Sequence, residues 1–188
     1  VLGTAGEGTV VLVHSTVRPD TPVSLAELAA PYGVAVLDAP VSGGPMGAAE
    51  GTLAVMVGGG EVAFAKARPV LEVLGSKVVL AGEVGSGTKM KLARNLLHFV
   101  SFTAATEAQR LAEAAGLDLA ALGEVVRHTD AITGGPGAIM LRKTTEPIAE
   151  DDFWYGVFSH VVALGEKDLS YATALAHELG VGVPLTEL

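Results

Sequence analysis

The stretch SGTKMKLARNLLHFVSFTAATEAQRLAEAAG, Ser86–Gly116, contains no proline and has no glycine between Gly87 and Gly116. It reads as one helix, well beyond the roughly 11–12 residues of an average one. Apolar residues occupy most of its circumference, which predicts burial on several sides and a role as a structural spine. The sequence on its two sides differs in texture, so this helix divides the chain.

On its N-terminal side, short apolar runs alternate with helical patterns. TVVLVHST, Thr9–Thr16, is a β-branched run bounded by Gly8 and Pro19, which suits a strand. PDTPVSLAELAAPYG, from Pro19, has a proline-rich start, helical spacing at Leu25, Leu28 and Ala29, and Gly33 as a stop. The run VAVLDAP follows as a second strand, then TLAVMVGG as strand, EVAFAKARPVLEVLG as helix with Phe64, Val70, Leu71 and Leu74 on its apolar side, and SKVVLAG as strand. Strand and helix alternating in this way predict an α/β domain with crossover helices and a sheet mostly parallel in its first part.

On the C-terminal side every pattern is helical. DLAALGEVVRHT is a helix capped by Asp118, GGPGAIMLRK a break followed by a short helix, and FSHVVALGEKDLSYATALAHELG a long helix ending at Gly180. The expected domains are residues 1–85, the later part of an α/β domain, and residues 86–188, an all-α domain that begins with the long helix. The chain opens Val-Leu-Gly without a Met or a secretory signal pattern. It closes on GVGVPLTEL, which reads as the start of another helix, so further sequence is expected at both ends.

The chain has 188 residues, of which 49% are hydrophobic, enough to fill a substantial core. The net charge is −9 with 12 Lys and Arg, which repels a phosphate backbone, so nucleic acid is not an expected partner. No apolar run approaches the ~18 residues of a bilayer span, and no membrane helix is expected. There is no cysteine, hence no disulfide, thiol nucleophile or zinc–thiolate site, which fits a cytoplasmic protein. The five histidines show neither an i,i+4 pair nor H-E-x-x-H, so no metal site is expected.

Three segments carry candidate chemistry. In APVSGGPMGAAEGTL, Ala39–Leu53, the consecutive Gly43 and Gly44 allow backbone amides to converge on a carboxylate or phosphate, with Ser42 adding a hydroxyl. The plainer reading is a tight strand connection whose glycines only supply positive φ. In GSGTKMKLARN, Gly85–Asn95, Lys91 and Asn95 lie four apart and share a helical face, where both can reach one substrate oxygen. A solvated lysine is the plainer reading here. Against it stands the setting of Lys91 between Met90 and Leu92. The third segment, EKDLSYA, Glu166–Ala172, places Lys167 beside Asp168, which by itself reads as a solvated charged face.

Taken together and in this order, the three segments resemble the β-hydroxyacid dehydrogenase family, especially its 3-hydroxyisobutyrate dehydrogenase and tartronate semialdehyde reductase branch. DAPVSGGPMGAAEGTL is similar to the family's substrate-binding signature, GSGTKMKLARN to its catalytic G-x-G-x-x-x-K-x-x-x-N, EKDLSYA to its cofactor-contacting segment, and HSTVRP, His14–Pro19, to its S-T-x-x-P. The resemblance implies a Rossmann-type domain, a long interdomain helix and an all-α domain, with NAD or NADP as cofactor. It implies reversible hydride transfer to and from a small β-hydroxyacid, with Lys91 as general acid/base and Asn95 positioning it. It also implies that Ser42, Gly43 and Gly44 bind the substrate carboxylate and that Thr16 and Lys167 contact the cofactor.

The family's first strand and G-x-G-x-x-G turn do not occur in these residues, so the chain alone is expected to bind cofactor poorly. The family's usual asparagine before Asn95 is Arg94 here. Within the same enzyme class, the alternatives are 6-phosphogluconate dehydrogenase-like decarboxylation and imine or aldehyde reduction. Outside it, the alternative is a non-catalytic oligomerisation or binding module. An apolar helical domain also suggests helices shared between subunits, hence a homodimer or homotetramer.

Overall fold

The structure, a computed structural model, describes residues 2–140 and 146–188. The chain forms two compact units, Val1–Leu96 and Leu97–Leu188. The first holds β1 (Val10–Val13), α1 (Asp20–Ala29), β2 (Ala35–Asp38), β3 (Val41–Ser42), α2 (Gly44–Glu50), β4 (Ala54–Gly58), α3 (Glu61–Leu74) and β5 (Lys77–Gly82). The division between the units falls within α4 (Ser86–Ala114), a helix of 29 residues. The second unit continues with α5 (Leu119–Thr133), α6 (Phe153–Glu178) and α7 (Pro184–Glu187).

The sheet is mixed. β1 pairs in parallel with β2, from Val10 opposite Ala35 to Val13 opposite Asp38, and β4 pairs in parallel with β5. Between these two pairs the direction reverses: Asp38, Val41 and Ser42 face Gly58, Val55 and Ala54 of β4 in one antiparallel register. Met56 N donates to Pro40 O at 3.0 Å, so β2 and β3 act as one strand along the edge of β4. The expectation of a sheet mostly parallel in its first part is therefore corrected at its centre. A parallel return needs a crossover of a dozen or more residues. The segment between β3 and β4 holds only the seven-residue α2, so the chain turns straight back.

The core of this unit is Leu37 and Ala39 from the β2 side, Val55 and Val57 from β4, and Ala67 and Leu71 from α3. The apolar side of α3 differs from the expected set. Phe64 packs on the core and Leu71 is fully buried, whereas Val70 is 58% exposed and Leu74 lies at the rim. Ala63 and Ala67 take their places, because 63, 67 and 71 follow the i, i+4 spacing and Val70 does not.

In the second unit, Asp118 caps α5 as expected, its carboxylate accepting from Ala120 N at 2.7 Å and Ala121 N at 3.3 Å. The last long helix starts earlier than its sequence pattern suggested, at Phe153. There Asp152 accepts from Trp154 N at 2.8 Å, and the aromatic segment forms the first turns. Buried Glu107 of α4 accepts from Leu185 N at 2.8 Å and from Thr186 N and Oγ1 at 3.1 and 2.9 Å, which satisfies the start of α7. Burial pushes the Glu107 carboxyl up. Its hydrogen bonds from Leu185 and Thr186, with Arg110 nearby, outweigh that and hold it below the usual carboxylate range. After Gly134 the chain makes a 3-10 turn, Gly135–Gly137. The part of the expected short helix at Leu141–Lys143 lies outside the described residues.

The expected burial of α4 on several sides is not met within the chain: Leu96, Phe99 and Phe102 are more than half exposed. Among the described residues of the second unit, the buried ones are Glu107, Ala112, Ala176 and Val183. Those four side chains are too few for a core. No helix of the described residues is long and apolar enough to cross a membrane.

Candidate active site

Each glycine of Gly85-Ser86-Gly87 has its own structural reason. Gly85 turns the chain into α4 at φ +91°, and a Cβ there would meet Pro19 O at 2.9 Å. Gly87, one residue into the helix, lies flat on the sheet. A Cβ there would strike Met56 O and come within 2.8 Å of Gly58 N and 2.9 Å of Asp38 O. The first turn of α4 thus rests directly on strand backbone, and this close approach fixes the turn of the helix that leads to Lys91.

One turn further along α4 is Lys91. Its ammonium group donates to Val41 O at 2.7 Å and to Ser42 Oγ at 2.6 Å, and the residue is only 8% exposed. Its flanking residues Met90 and Leu92, which suggested burial in the sequence, are themselves exposed. The lysine is buried because its own side chain reaches over the β2/β3 strand, whereas its apolar neighbours point the other way. Burial, and after it the charge of Arg94, lowers the Lys91 pKa from its ordinary value. Arg94 in turn donates to Asn95 Oδ1 at 3.3 Å.

Ser42 ends β3, and Gly43 and Gly44 carry the chain into α2 at φ +136° and +63°. Both glycines are needed for the backbone conformation alone. A Cβ on Gly43 would meet Leu53 Cδ2 at 2.9 Å, whereas one on Gly44 would meet nothing within 4 Å, so the face above Gly44 is open. Ser42, Gly43, Gly44, Lys91 and Asn95 therefore belong to one unit, and Ser42 and Lys91 are in direct contact. Thr16 is in the same unit, on the exposed loop at the carboxyl end of β1. His14 at that strand end has Nδ1 2.8 Å from Ala39 O, which ties the loop to the segment leading into Ser42. Lys167 belongs to the second unit, exposed on α6, where it forms an ion pair with Asp168 at 3.1 Å.

Two participants were not visible in the sequence. One is the carbonyl of Val41, which carries no side-chain signal. The other is Asp38, whose carboxylate is fully buried and accepts from Gly85 N at 2.7 Å and Thr88 N at 2.6 Å. Its signal was a lone acid at the end of the apolar run VAVL. Beside it, the buried Thr88 Oγ1 has no hydrogen-bond partner among the described residues. Those residues also contain no group of three or more His, Asp or Glu side chains placed to hold a metal ion.

Residues 1–82 match the model of the NAD binding domain of 6-phosphogluconate dehydrogenase. Residues 85–188 match that of the NAD-binding of NADP-dependent 3-hydroxyisobutyrate dehydrogenase. The chain belongs to the β-hydroxyacid dehydrogenase family. An uncharacterised oxidoreductase of Mycobacterium tuberculosis is 53% identical over 184 residues, 98% of this chain and 62% of that protein. The crystal structure of a Mycobacterium avium protein assigned to the oxidoreductases is 50% identical with a TM-score of 0.96, covering 99% of this chain and 67% of that one. A structure of M. tuberculosis 3-hydroxyisobutyrate dehydrogenase with L-serine is 34% identical with a TM-score of 0.63, covering 100% of this chain and 64% of that one. The chain thus spans about three fifths of the length of the curated relatives that it matches.

Proposed function

We propose that the protein containing this chain transfers hydride reversibly between NAD or NADP and a small β-hydroxyacid, with Lys91 as the general acid/base. The observation that carries this reading is the Lys91 amine, buried and held by Val41 O and Ser42 Oγ, in a chain of this family. A neutral amine has two N–H bonds and one lone pair. With both N–H groups engaged by those two oxygens, the lone pair is the remaining vertex, and it can take the proton of a substrate hydroxyl. In the reverse direction the third N–H of the ammonium returns that proton to the developing alkoxide. The lowered pKa of Lys91 brings the two forms closer in population near neutral pH than for a free lysine.

Ser42 accepts from Lys91 and keeps its own hydrogen to donate to a substrate carboxylate, alongside the amides of Gly43 and Gly44. Asn95, one turn from Lys91, positions the lysine and the substrate. L-Serine, present in the M. tuberculosis relative, carries the hydroxyl and carboxylate that this arrangement requires. The cofactor, when bound, accepts or supplies the hydride. The exposed Thr16 loop at the carboxyl end of β1 fits a nicotinamide cofactor, because ligands of open α/β sheets bind beyond strand carboxyl ends. Lys167 is assigned to the cofactor on the family pattern, and residues 1–85 and 86–188 are taken as its nucleotide-side and helical domains. The test is an absorbance assay of the full-length protein with both cofactors and a panel of small hydroxyacids. Turnover of β-hydroxyacids is expected, and no turnover of any of them with either cofactor would overturn the reading.

Arg94 supplies a pH test. Its charge disfavours the protonated form of Lys91, so Arg94→Asn raises the Lys91 pKa. Oxidation needs the neutral amine, and its acid limb is expected to move to higher pH in the variant. Reduction needs the ammonium, and its rate is expected to persist to higher pH. Because Arg94 is exposed, the displacement shrinks with added salt. An unmoved profile at low salt would show that Arg94 does not act on Lys91.

The exposed apolar faces of α4, α5 and α6 support a homodimer or homotetramer in which helices of two copies bury one another. Sedimentation of the full-length protein at micromolar concentration is expected to give that mass. A monomer would remove the assembly.

A further inference from the structure

We propose that Asp38 is a positioning residue for Lys91: its buried carboxylate locks the strand leading into Ser42 to the first turn of the helix that carries the lysine. The inference rests on the functional reading above for what Lys91 does, and on geometry alone for how Lys91 is held. Asp38 Oδ1 accepts from Gly85 N at 2.7 Å and Oδ2 from Thr88 N at 2.6 Å. The residue is completely buried. Lys91 lies one turn beyond Thr88, and Ser42 four residues beyond Asp38. The contact of Lys91 Nζ with Ser42 Oγ at 2.6 Å closes a ring that runs along strand, side chain, helix and back to the carboxylate.

Both sides of that ring are rigid. Asp38 sits in the sheet, opposite Gly58 of β4 and parallel-paired with Val13 of β1. A Cβ on Gly58 would collide with the Asp38 carboxylate, and one on Gly87 would collide with the strand backbone, so there is no room for the helix to rotate or slide. The carboxylate also faces the positive end of the α4 macrodipole, where a negative charge is favoured. Because Lys91 sits within about two turns of this anchor, a shift at the anchor becomes a shift of the amine. A displacement of about 1 Å at a reacting group can cost roughly 10²-fold in rate.

A carboxylate offers acceptors only, and both amides here need one. Asp38→Asn keeps the shape but turns one oxygen into an N–H donor that faces an amide N–H, so one of the two bonds is lost. The experiment compares wild-type and Asp38→Asn full-length protein by two readouts. The first is kcat and KM for hydroxyacid turnover. The second is the pH dependence of Lys91 acetylation by trace acetic anhydride, followed by mass spectrometry, which reads the amine without any substrate.

In the folded variant, kcat is expected to fall at least about tenfold with little change in cofactor KM, and half-maximal labelling of Lys91 to move to higher pH as the amine leaves its buried seat. Labelling and kcat both unchanged in a folded variant would overturn the positioning role and leave Asp38 a simple helix cap. Should Asp38→Asn not fold, Asp38→Ser decides by the same outcomes, because a serine hydroxyl can cap one amide but not hold both. A wild type with no hydroxyacid activity, but with Lys91 labelling that moves in the variant, would remove the proposed reaction and keep the positioning.

Discussion

In the full-length protein, Lys91→Ala is expected to lower kcat for hydroxyacid oxidation by about 10²–10⁴-fold, the usual worth of a positioned acid/base. Nicotinamide cofactor affinity should hold within a few fold. The substitution removes a buried amine whose hydrogen bonds go to Val41 O and Ser42 Oγ, and neither partner is left as an uncompensated charge. Folding is therefore expected to survive, and circular dichroism checks it. Lys91→Arg separates two roles that alanine merges. Arginine keeps the positive charge, so it keeps any attraction for a carboxylate, but it does not lose its proton in proteins and cannot serve as a base. The arginine variant is expected to be as inactive as the alanine variant in oxidation. Wild-type turnover in either would remove Lys91 from proton transfer, and recovered activity in the arginine variant alone would make it a binding cation.

Gly87→Ala is expected to destabilise the protein by more than about 3 kcal/mol, at the upper end of ordinary single substitutions. Two effects oppose each other here. Alanine is the better helix former by about 1 kcal/mol, which alone would stabilise α4. Against this, the new Cβ must occupy space held by Met56 O, Gly58 N and Asp38 O, all backbone atoms of the sheet. Backbone cannot rotate away as a side-chain tip can, so either the helix lifts off the strand or the sheet buckles. The steric term therefore wins. With roughly 2–4 °C per kcal/mol for a chain of this size, the melting temperature is expected to fall by about 6–12 °C or more. A variant that melts at or above the wild-type temperature would mean that α4 does not touch the sheet at this glycine.

Much of the fold was legible because its signals are local. The strand runs bounded by glycine and proline, the proline-led start of α1, the Asp118 cap and the unbroken Ser86–Ala114 helix depend on neighbours within a turn or two. The pairing of β2 with β4 was not legible in that way. Its direction depends on whether the segment after Ser42 crosses over or turns back, and a seven-residue helix there gave no periodic signal of either. The apolar side of α3 failed at Val70 for a related reason. Hydrophobicity was read as burial, whereas the core was filled by the smaller Ala63 and Ala67 at the right spacing.

At the candidate site, sequence and tertiary structure each supplied a different part. The sequence by itself determined that a lysine and an asparagine stand four apart near the start of a long helix, and that a serine precedes two glycines between strands. Those are facts of composition and periodicity. Only the tertiary structure decided that Lys91 is buried while Met90 and Leu92 are exposed, that its amine meets Ser42, and that the Asp38 carboxylate accepts from two amides at the start of the helix that carries the lysine. Ser42 and Lys91 are 49 positions apart, and Asp38 and Thr88 are 50 apart. Whether such groups meet is set by how closely a helix can lie on a sheet, and here that distance is set by the missing side chains of Gly58 and Gly87.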